Sequence, residues 1–254
     1  DGEPCVQLKL KGNGVIVTGG SRGIGLSIAE GFAVEGANVS ICARDPIALE
    51  AARVQLSAHG STVHTQSCDV SDADALEHYL SAACEALGTL NVLVNNPSGF
   101  GRGDDEEGWQ KSIDVDLMAS VRGSWHAAPQ IEKAGGGAII HVSSISSLTH
   151  SQRTPPYGAI KAALNQYTKT QAIDLAPRGI RVNAIAPGSI YFEGGLWAQA
   201  ERENRPLYDS ILAGIPSGRF GTPQEVAELA VFLGSDAGRW ITGQTIAVDG
   251  GQML

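Results

Sequence analysis

The segment "GVIVTGGSRGIG" (14–25) decides the fold, because it passes from a β-branched run through a glycine-rich turn into an amphipathic stretch. Val15, Ile16 and Val17 read as a buried strand, here taken as 14–20, and the pattern from Ile24 to Val34 reads as a helix. Between them stand Gly19, Gly23 and Gly25, spaced G-x-x-x-G-x-G. Glycine allows a tight turn and close backbone approach, and the first turn of a helix offers free N–H groups to an anion. A strand, a glycine loop and a helix, with a second strand to follow, predict a nucleotide pyrophosphate site. No Gly-Lys-Ser/Thr follows the loop, which excludes a P-loop.

Outward from this unit, β-branched runs alternate with amphipathic segments to the end of the chain. Further strands are expected at 37–44, 61–70, 90–96, 137–144, 179–187 and 244–251. Helices are expected at 45–59, at 71–88 with Ser71 and Asp74 suggesting a capped start, and from Pro223 onward. One long helix should run through Trp109, Val115, Met118 and Val121, and another should carry Tyr157. Such alternation makes an α/β protein, a parallel sheet with helices on both faces. No linker or composition break divides it, so residues 1–254 are read as one domain. Residues 189–222 interrupt the pattern after the sixth strand, with Phe192, Leu196, Trp197, Leu207 and Tyr208 among them. An insertion at the carboxyl end of a strand lies where open sheets bind ligands, so this one reads as a substrate-covering lobe.

Composition narrows the function. Hydrophobic residues at 43% and charged residues at 18% fit an ordinary globular protein. The formal net charge of −9, with no basic run, argues against nucleic acid and membrane as partners. Cys5, Cys42, Cys68 and Cys84 form no C-x-x-C pair and no H-E-x-x-H is present, so no metal is expected. Free thiols, the lack of a long apolar run and an N-terminal stretch without a signal-peptide core lead to a cytoplasmic expectation.

The second strand ends in Ala43-Arg44, where an NAD site usually offers a carboxylate to the ribose. Arg44 and Arg22, two guanidiniums without that carboxylate, favour a 2′-phosphate, hence NADP(H) over NAD(H). The alternative is a solvated Arg44 with Asp45 capping the next helix. Asp69 and Val70 after the third strand, and Asn95 and Asn96 after the fourth, are candidates to border the adenosine. Tyr157 and Lys161 are four residues apart and so share a helix face behind Pro155 and Pro156. Alone, that pair reads more readily as a solvated first turn.

Together the motifs resemble the short-chain dehydrogenase/reductase family over practically the whole chain. "TGGSRGIG" (18–25), Asn95-Asn96, Ser144, Tyr157-x-x-x-Lys161, "PG" (187–188) and "WITGQTIAVDGG" (240–251) stand in the family's order. The resemblance implies a Rossmann-type, doubly wound, mostly parallel seven-stranded sheet and hydride transfer between a nicotinamide and a carbonyl or alcohol carbon. Tyr157 would be the acid/base, Ser144 would bind the substrate oxygen, and Lys161 would lower the Tyr157 pKa and hold the nicotinamide ribose. The cofactor site implied comprises Gly19, Ser21, Arg22, Gly23, Ile24, Gly25, Arg44, Asp69, Val70, Asn95, Asn96, Pro97, Tyr157, Lys161, Pro187, Gly188 and Ile190. Two departures stand out. Asp116 occupies the place of an asparagine that usually holds a water relay to the lysine, and its charge would favour the Lys161 ammonium. Pro97 and Ser98 replace an Ala-Gly pair. Phe100, His150, Gln152, Phe192 and Trp197 are expected around a small-molecule substrate, although ordinary packing would also account for each. The family implies a homo-oligomer, tetramer or dimer. An alcohol or sugar-alcohol dehydrogenase working with NAD(P)+ uses the same residues, and a nucleotide sensor without chemistry is the reading of a different class.

Overall fold

The computed structural model describes residues 7–254, which leaves Cys5 outside the described residues. In chain order it contains β1 (Gly14–Thr18), α1 (Gly23–Val34), β2 (Asn38–Ala43), α2 (Pro46–Ser57), β3 (Val63–Ser67), α3 (Ala73–Leu87) and β4 (Val92–Asn95). These are followed by α4 (Glu106–Lys111), a π-helical turn (Ser112–Met118), α5 (Ala119–Lys133), β5 (Gly137–Val142), α6 (Pro155–Leu175) and β6 (Ile180–Pro187). The last elements are α7 (Leu196–Glu203), α8 (Arg205–Ala213), α9 (Pro223–Gly234) and β7 (Thr245–Val248).

The strands form one sheet in the order 3-2-1-4-5-6-7. Every neighbouring pair is parallel, where the sequence led to a mostly parallel expectation. Successive strand residues point to opposite faces. Val15 and Val17 therefore enter the core beneath α1, α2 and α9, while Ile16 enters the one beneath α3, α5 and α6. Val92 and Val94 divide from Leu93 in the same way. The chain leaves β1 toward β2 and β3, then returns across β1 to β4. This reversal opens a crevice at the carboxyl ends of β1 and β4, where Thr18 and Asn95 stand in register.

Local chemistry moves several boundaries. β3 stops at Ser67 rather than at Val70, because Cys68 donates its N–H to Ala43 O and Asp69 then closes a turn. Asp69 Oδ1 accepts from both Ser71 N (3.0 Å) and Ser71 Oγ (2.8 Å). Ser71 is thus occupied, and Asp72 caps α3 by accepting from Asp74 N and Ala75 N, each at 3.0 Å. The expected long helix is a continuous helical run whose middle widens into the π turn at 112–118.

Residues 189–222 form a small unit of their own. Ile190 bridges Gly221, with Tyr191 N donating to Gly221 O at 2.8 Å, so the two ends of the segment meet. Asn204 ends α7 and caps α8 by accepting from Leu207 N. Tyr191, Trp197 and Tyr208 gather around Phe220, with ring centroids 6.3, 5.5 and 4.7 Å from it.

Candidate active site

Gly19 and Gly23 have positive φ, 67° and 54°, which side chains rarely adopt. A Cβ on Gly25 would stand 2.2 Å from Gly19 O, so the loop packs directly on the helix start. Asn96 fixes the loop from the β4 side, donating its side-chain amide to Gly19 O (3.0 Å) and its N–H to Thr18 Oγ1 (3.2 Å). Arg22 occupies the N-cap of α1 without a side-chain cap, which leaves first-turn N–H groups unclaimed at the crevice. A backbone cradle with free donors fits a pyrophosphate. Arg22 and Arg44 are both exposed, and neither is in an ion pair among the described residues. Asp45 is diverted into the cap of α2, accepting from Ile47 N at 2.9 Å. The two hydrogen bonds from Ser71 hold the Asp69 carboxyl below its ordinary range, with a smaller contribution from Arg44.

Two expectations need correcting here. Asn95 does not face the crevice: its amide turns into the core toward Ser120 O, Ser124 Oγ and His141 Nδ1. A strand residue at this register points beneath the sheet end, whereas its neighbour Asn96 points above it. Phe192 does not border the cavity above Tyr157 either. Its ring lies on the glycine loop, 2.6 Å from where a Gly23 Cβ would be, because the Gly194-Gly195 turn folds it back.

At the neighbouring strand ends, Ser144 follows β5 and its Oγ accepts from Ser146 N at 3.1 Å, which orients the hydroxyl. Pro155 and Pro156 start α6, and the 3.6-residue period then brings Tyr157 and Lys161 to one side. Lys161 is only 1% exposed. Its Nζ donates to Val142 O (2.9 Å) and Pro97 O (3.3 Å) and lies 5.6 Å from the centre of the Tyr157 ring. The hydroxyls of Ser144 and Ser98 interact with the Tyr157 phenol. Burial, the foremost cause, pushes that phenol above its ordinary value; Lys161 pulls it down and Asp116 pushes it up. The expected lowering by Lys161 is present but smaller than the raising effect of burial.

Asp116 is fully buried in the π turn. Its Oδ1 lies 3.3 Å from Lys161 Nζ and accepts from Gly99 N at 3.2 Å, whereas Oδ2 has no partner. The carboxylate and ammonium are thus in direct contact at the place where the family's asparagine usually stands. Ser112, one turn earlier, accepts from Gly101 N at 3.2 Å, so the π turn pins the loop at both ends. Beneath the cluster, His141 Nε2 meets Gln171 Oε1 at 3.0 Å, and burial lowers the imidazole to about 4, leaving it neutral.

A cavity of about 710 Å³ opens above Ser144 and Tyr157. Phe100, His150, Gln152 and Trp197 border it, together with Pro187's neighbours Gly188 and Ser189. Phe100 adopts φ 49° and meets the Tyr157 ring edge-on, with centroids 5.0 Å apart. Leu207 and Ile211 come to this wall from the 189–222 lobe, as expected, whereas Arg102 and Arg153 were not singled out in the sequence. They carry no motif, and only the folding back of three loops brings them together. A second cavity of about 650 Å³, between Gly136 and Trp240 at the opposite strand ends, shares none of these residues. Among the described residues no metal-binding cluster of His, Cys, Asp or Glu exists, and no helix is long and apolar enough to cross a membrane.

Comparison with known proteins agrees with this geometry. The model for the family described as enoyl-(acyl carrier protein) reductase matches residues 19–253. Human dehydrogenase/reductase SDR family member 4 is 36% identical over 243 residues, covering 93% of this chain and 86% of the relative. The structure of L-sorbose reductase from Gluconobacter frateurii, complexed with NADPH and L-sorbose, superposes with a TM-score of 0.89 at 32% identity, covering 96% of this chain and 97% of that one. A 7α-hydroxysteroid dehydrogenase complexed with NADH and 7-oxo glycochenodeoxycholic acid gives a TM-score of 0.89 at 30% identity, covering 95% and 94%. With its parallel sheet, glycine loop and Ser144–Tyr157–Lys161 cluster, the chain belongs to the short-chain dehydrogenase/reductase family and is an oxidoreductase.

Proposed function

We propose that this enzyme is an NADP(H)-dependent carbonyl reductase with Tyr157 as its general acid. The observation that carries the reading is the convergence of Ser144, Tyr157 and Lys161 at the strand ends beside the glycine loop. Gly19, Ser21, Gly23, Ile24 and Gly25 would hold the pyrophosphate, and Arg22 and Arg44 the 2′-phosphate. Asp69, Val70 and Asn96 would border the adenosine, while Pro97, Pro187, Gly188, Ile190 and Lys161 would flank the nicotinamide ribose. When bound, the reduced nicotinamide supplies the hydride.

The protein's own part is to place a carbonyl and protonate it. Ser144 donates to the substrate oxygen and fixes it beside Tyr157. The phenol, protonated at neutral pH, passes its proton to that oxygen as the carbon is reduced. Lys161, held by Val142 O, Pro97 O and Asp116, then faces the phenolate with a positive charge. A phenol at or above its ordinary pKa is protonated at neutral pH, which is the state from which reduction starts. Alcohol oxidation by the same residues, the second reading, is favoured by the hydroxyl-rich cavity wall of Ser146, Thr149, Ser151 and Thr154. The lobe at 189–222 covers the substrate through Leu196, Trp197, Leu207 and Ile211. Free thiols at Cys42, Cys68 and Cys84 suit a reducing, cytoplasmic setting. Exposed Trp125 and Ile173 on α5 and α6 support a homo-oligomer.

The test is a panel of ketones and alcohols followed by absorbance of NADPH, with the NAD pair as control. Turnover by the wild type, loss of at least about 1,000-fold in Tyr157→Phe and retained NADPH binding by that variant are expected. Full activity in Tyr157→Phe would sink the mechanism, and a strong preference for NADH would defeat the Arg22/Arg44 assignment.

A further inference from the structure

The cavity above Tyr157 carries a charge opposite to that of the protein. The chain has a formal net charge of −9, yet no Asp or Glu borders this cavity, whereas Arg102 and Arg153 both do. Neither arginine is in an ion pair among the described residues. The acidic run that follows Arg102 does not line the cavity. Asp104 accepts from Trp109 Nε1 at 3.0 Å, Asp105 caps α4 through Gly108 N at 2.8 Å, and Glu106 and Glu107 lie on its exposed first turn. Lys161 lies deeper, with its charge already answered by Asp116. The unneutralised positive charge at the site therefore belongs to the two arginines.

Both guanidiniums are on exposed residues, and ring contacts place that of Arg102. The Arg102 guanidinium lies over the Phe100 ring at 5.1 Å, and that ring meets the Tyr157 ring at 5.0 Å. Phe100 holds this position with φ 49°, an uncommon conformation for a bulky side chain, and glycines on either side of it pack onto the helical run. A Cβ on Gly101 would come within 2.1 Å of Gly108 O, and one on Gly99 within 2.7 Å of Lys111 O. Two ring contacts thus bring the Arg102 guanidinium to the side of the cavity where the phenol stands. Arg153 comes from the other side, immediately before the start of α6, whose positive end adds to the field. The same cavity is also lined by the apolar side chains of Phe100, Trp197, Leu207 and Ile211.

We propose that the substrate is a ketone, or the corresponding secondary alcohol, that also bears a carboxylate. Its carbonyl meets Ser144 and Tyr157, its carbon skeleton lies against Phe100 and Trp197, and its carboxylate is held between Arg102 and Arg153. Guanidinium groups suit a carboxylate because their paired N–H donors match its two oxygens. The carboxylate is a spectator: hydride goes to the carbonyl carbon, the Tyr157 proton goes to its oxygen, and the reduced nicotinamide becomes oxidised. The assignment rests on the carbonyl-reductase reading and adds the substrate class.

The test compares acids with their methyl esters on three skeletons: 4-oxocyclohexanecarboxylate, 4-oxopentanoate and 4-acetylbenzoate, at saturating NADPH and again at saturating NADH. The wild type should prefer at least one acid over its ester by tenfold or more in kcat/KM, with the difference chiefly in KM. Arg102→Ala/Arg153→Ala should cut that acid-to-ester ratio at least tenfold, and the double lysine variant should restore part of it. Melting temperatures of the variants separate loss of recognition from loss of fold. Equal use of acid and ester on every skeleton, or a ratio untouched by the alanine pair, overturns the proposal. Turnover of neutral ketones alone would overturn it while leaving the carbonyl-reductase reading standing. No turnover of any ketone or alcohol with either cofactor would remove both.

Discussion

At Asp116 a carboxylate touches the Lys161 ammonium at 3.3 Å and leaves its second oxygen unpartnered in a fully buried position. An asparagine would keep the Gly99 hydrogen bond through its amide oxygen but would bring no charge. Lys161 would still hold two carbonyl acceptors, so its position should survive the exchange. Asp116→Asn is therefore expected to retain at least about a tenth of the wild-type kcat, since no proton-transferring group is removed. The sign of the pH effect follows from Tyr157. Asp116 raises the phenol's pKa, so removing its charge lowers that pKa. Reduction, which needs the protonated phenol, should then fall off at lower pH in the variant, and alcohol oxidation should rise at lower pH. Rate–pH profiles in both directions check this. A loss well beyond tenfold would mean that the carboxylate itself is required.

Among the elements, the helix starts show how short-range chemistry overrides a pattern read by eye. Ser71 satisfies the expected spacing for capping α3, but Asp69 captures both its N–H and its hydroxyl, and the cap passes to Asp72. Asp72→Ala should lower the unfolding free energy by about 1 kcal/mol, the usual value of an N-cap, while Ser71→Ala should cost less. Urea unfolding of both variants ranks them; the reverse order would contradict the assignment. The π turn is the second case. A hydrophobic period of 3.6 residues predicts one helix through Trp109 and Val121, and the period is nearly right. What sequence pattern does not report is the extra residue per turn at 112–118, which accompanies the Ser112 and Asp116 bonds to the 97–101 loop.

For the molecule as a whole, α5 and α6 cover one face of the sheet yet leave Trp125 and Ile173 exposed by 64% and 76%. If this surface joins copies of the chain, Ile173→Glu should lower the mass measured by light scattering at least twofold. A wild type already monomeric at micromolar concentration would refute the oligomer. The sequence by itself determined the strand–helix alternation, the glycine loop and the Tyr157–Lys161 spacing. Each depends on residues within a few positions of one another, where backbone geometry and helical period leave little choice. It also sufficed for the family, because those local signals occur in a fixed order. Only the tertiary structure decided which way Asn95 and Phe192 turn, that Asp116 meets Lys161 directly, and that burial and Asp116 oppose Lys161 at the Tyr157 phenol. It alone brought Arg102 and Arg153 to one cavity from loops about fifty residues apart in sequence. Such contacts depend on how separate loops fold back over the strand ends, and no periodicity in the chain encodes that.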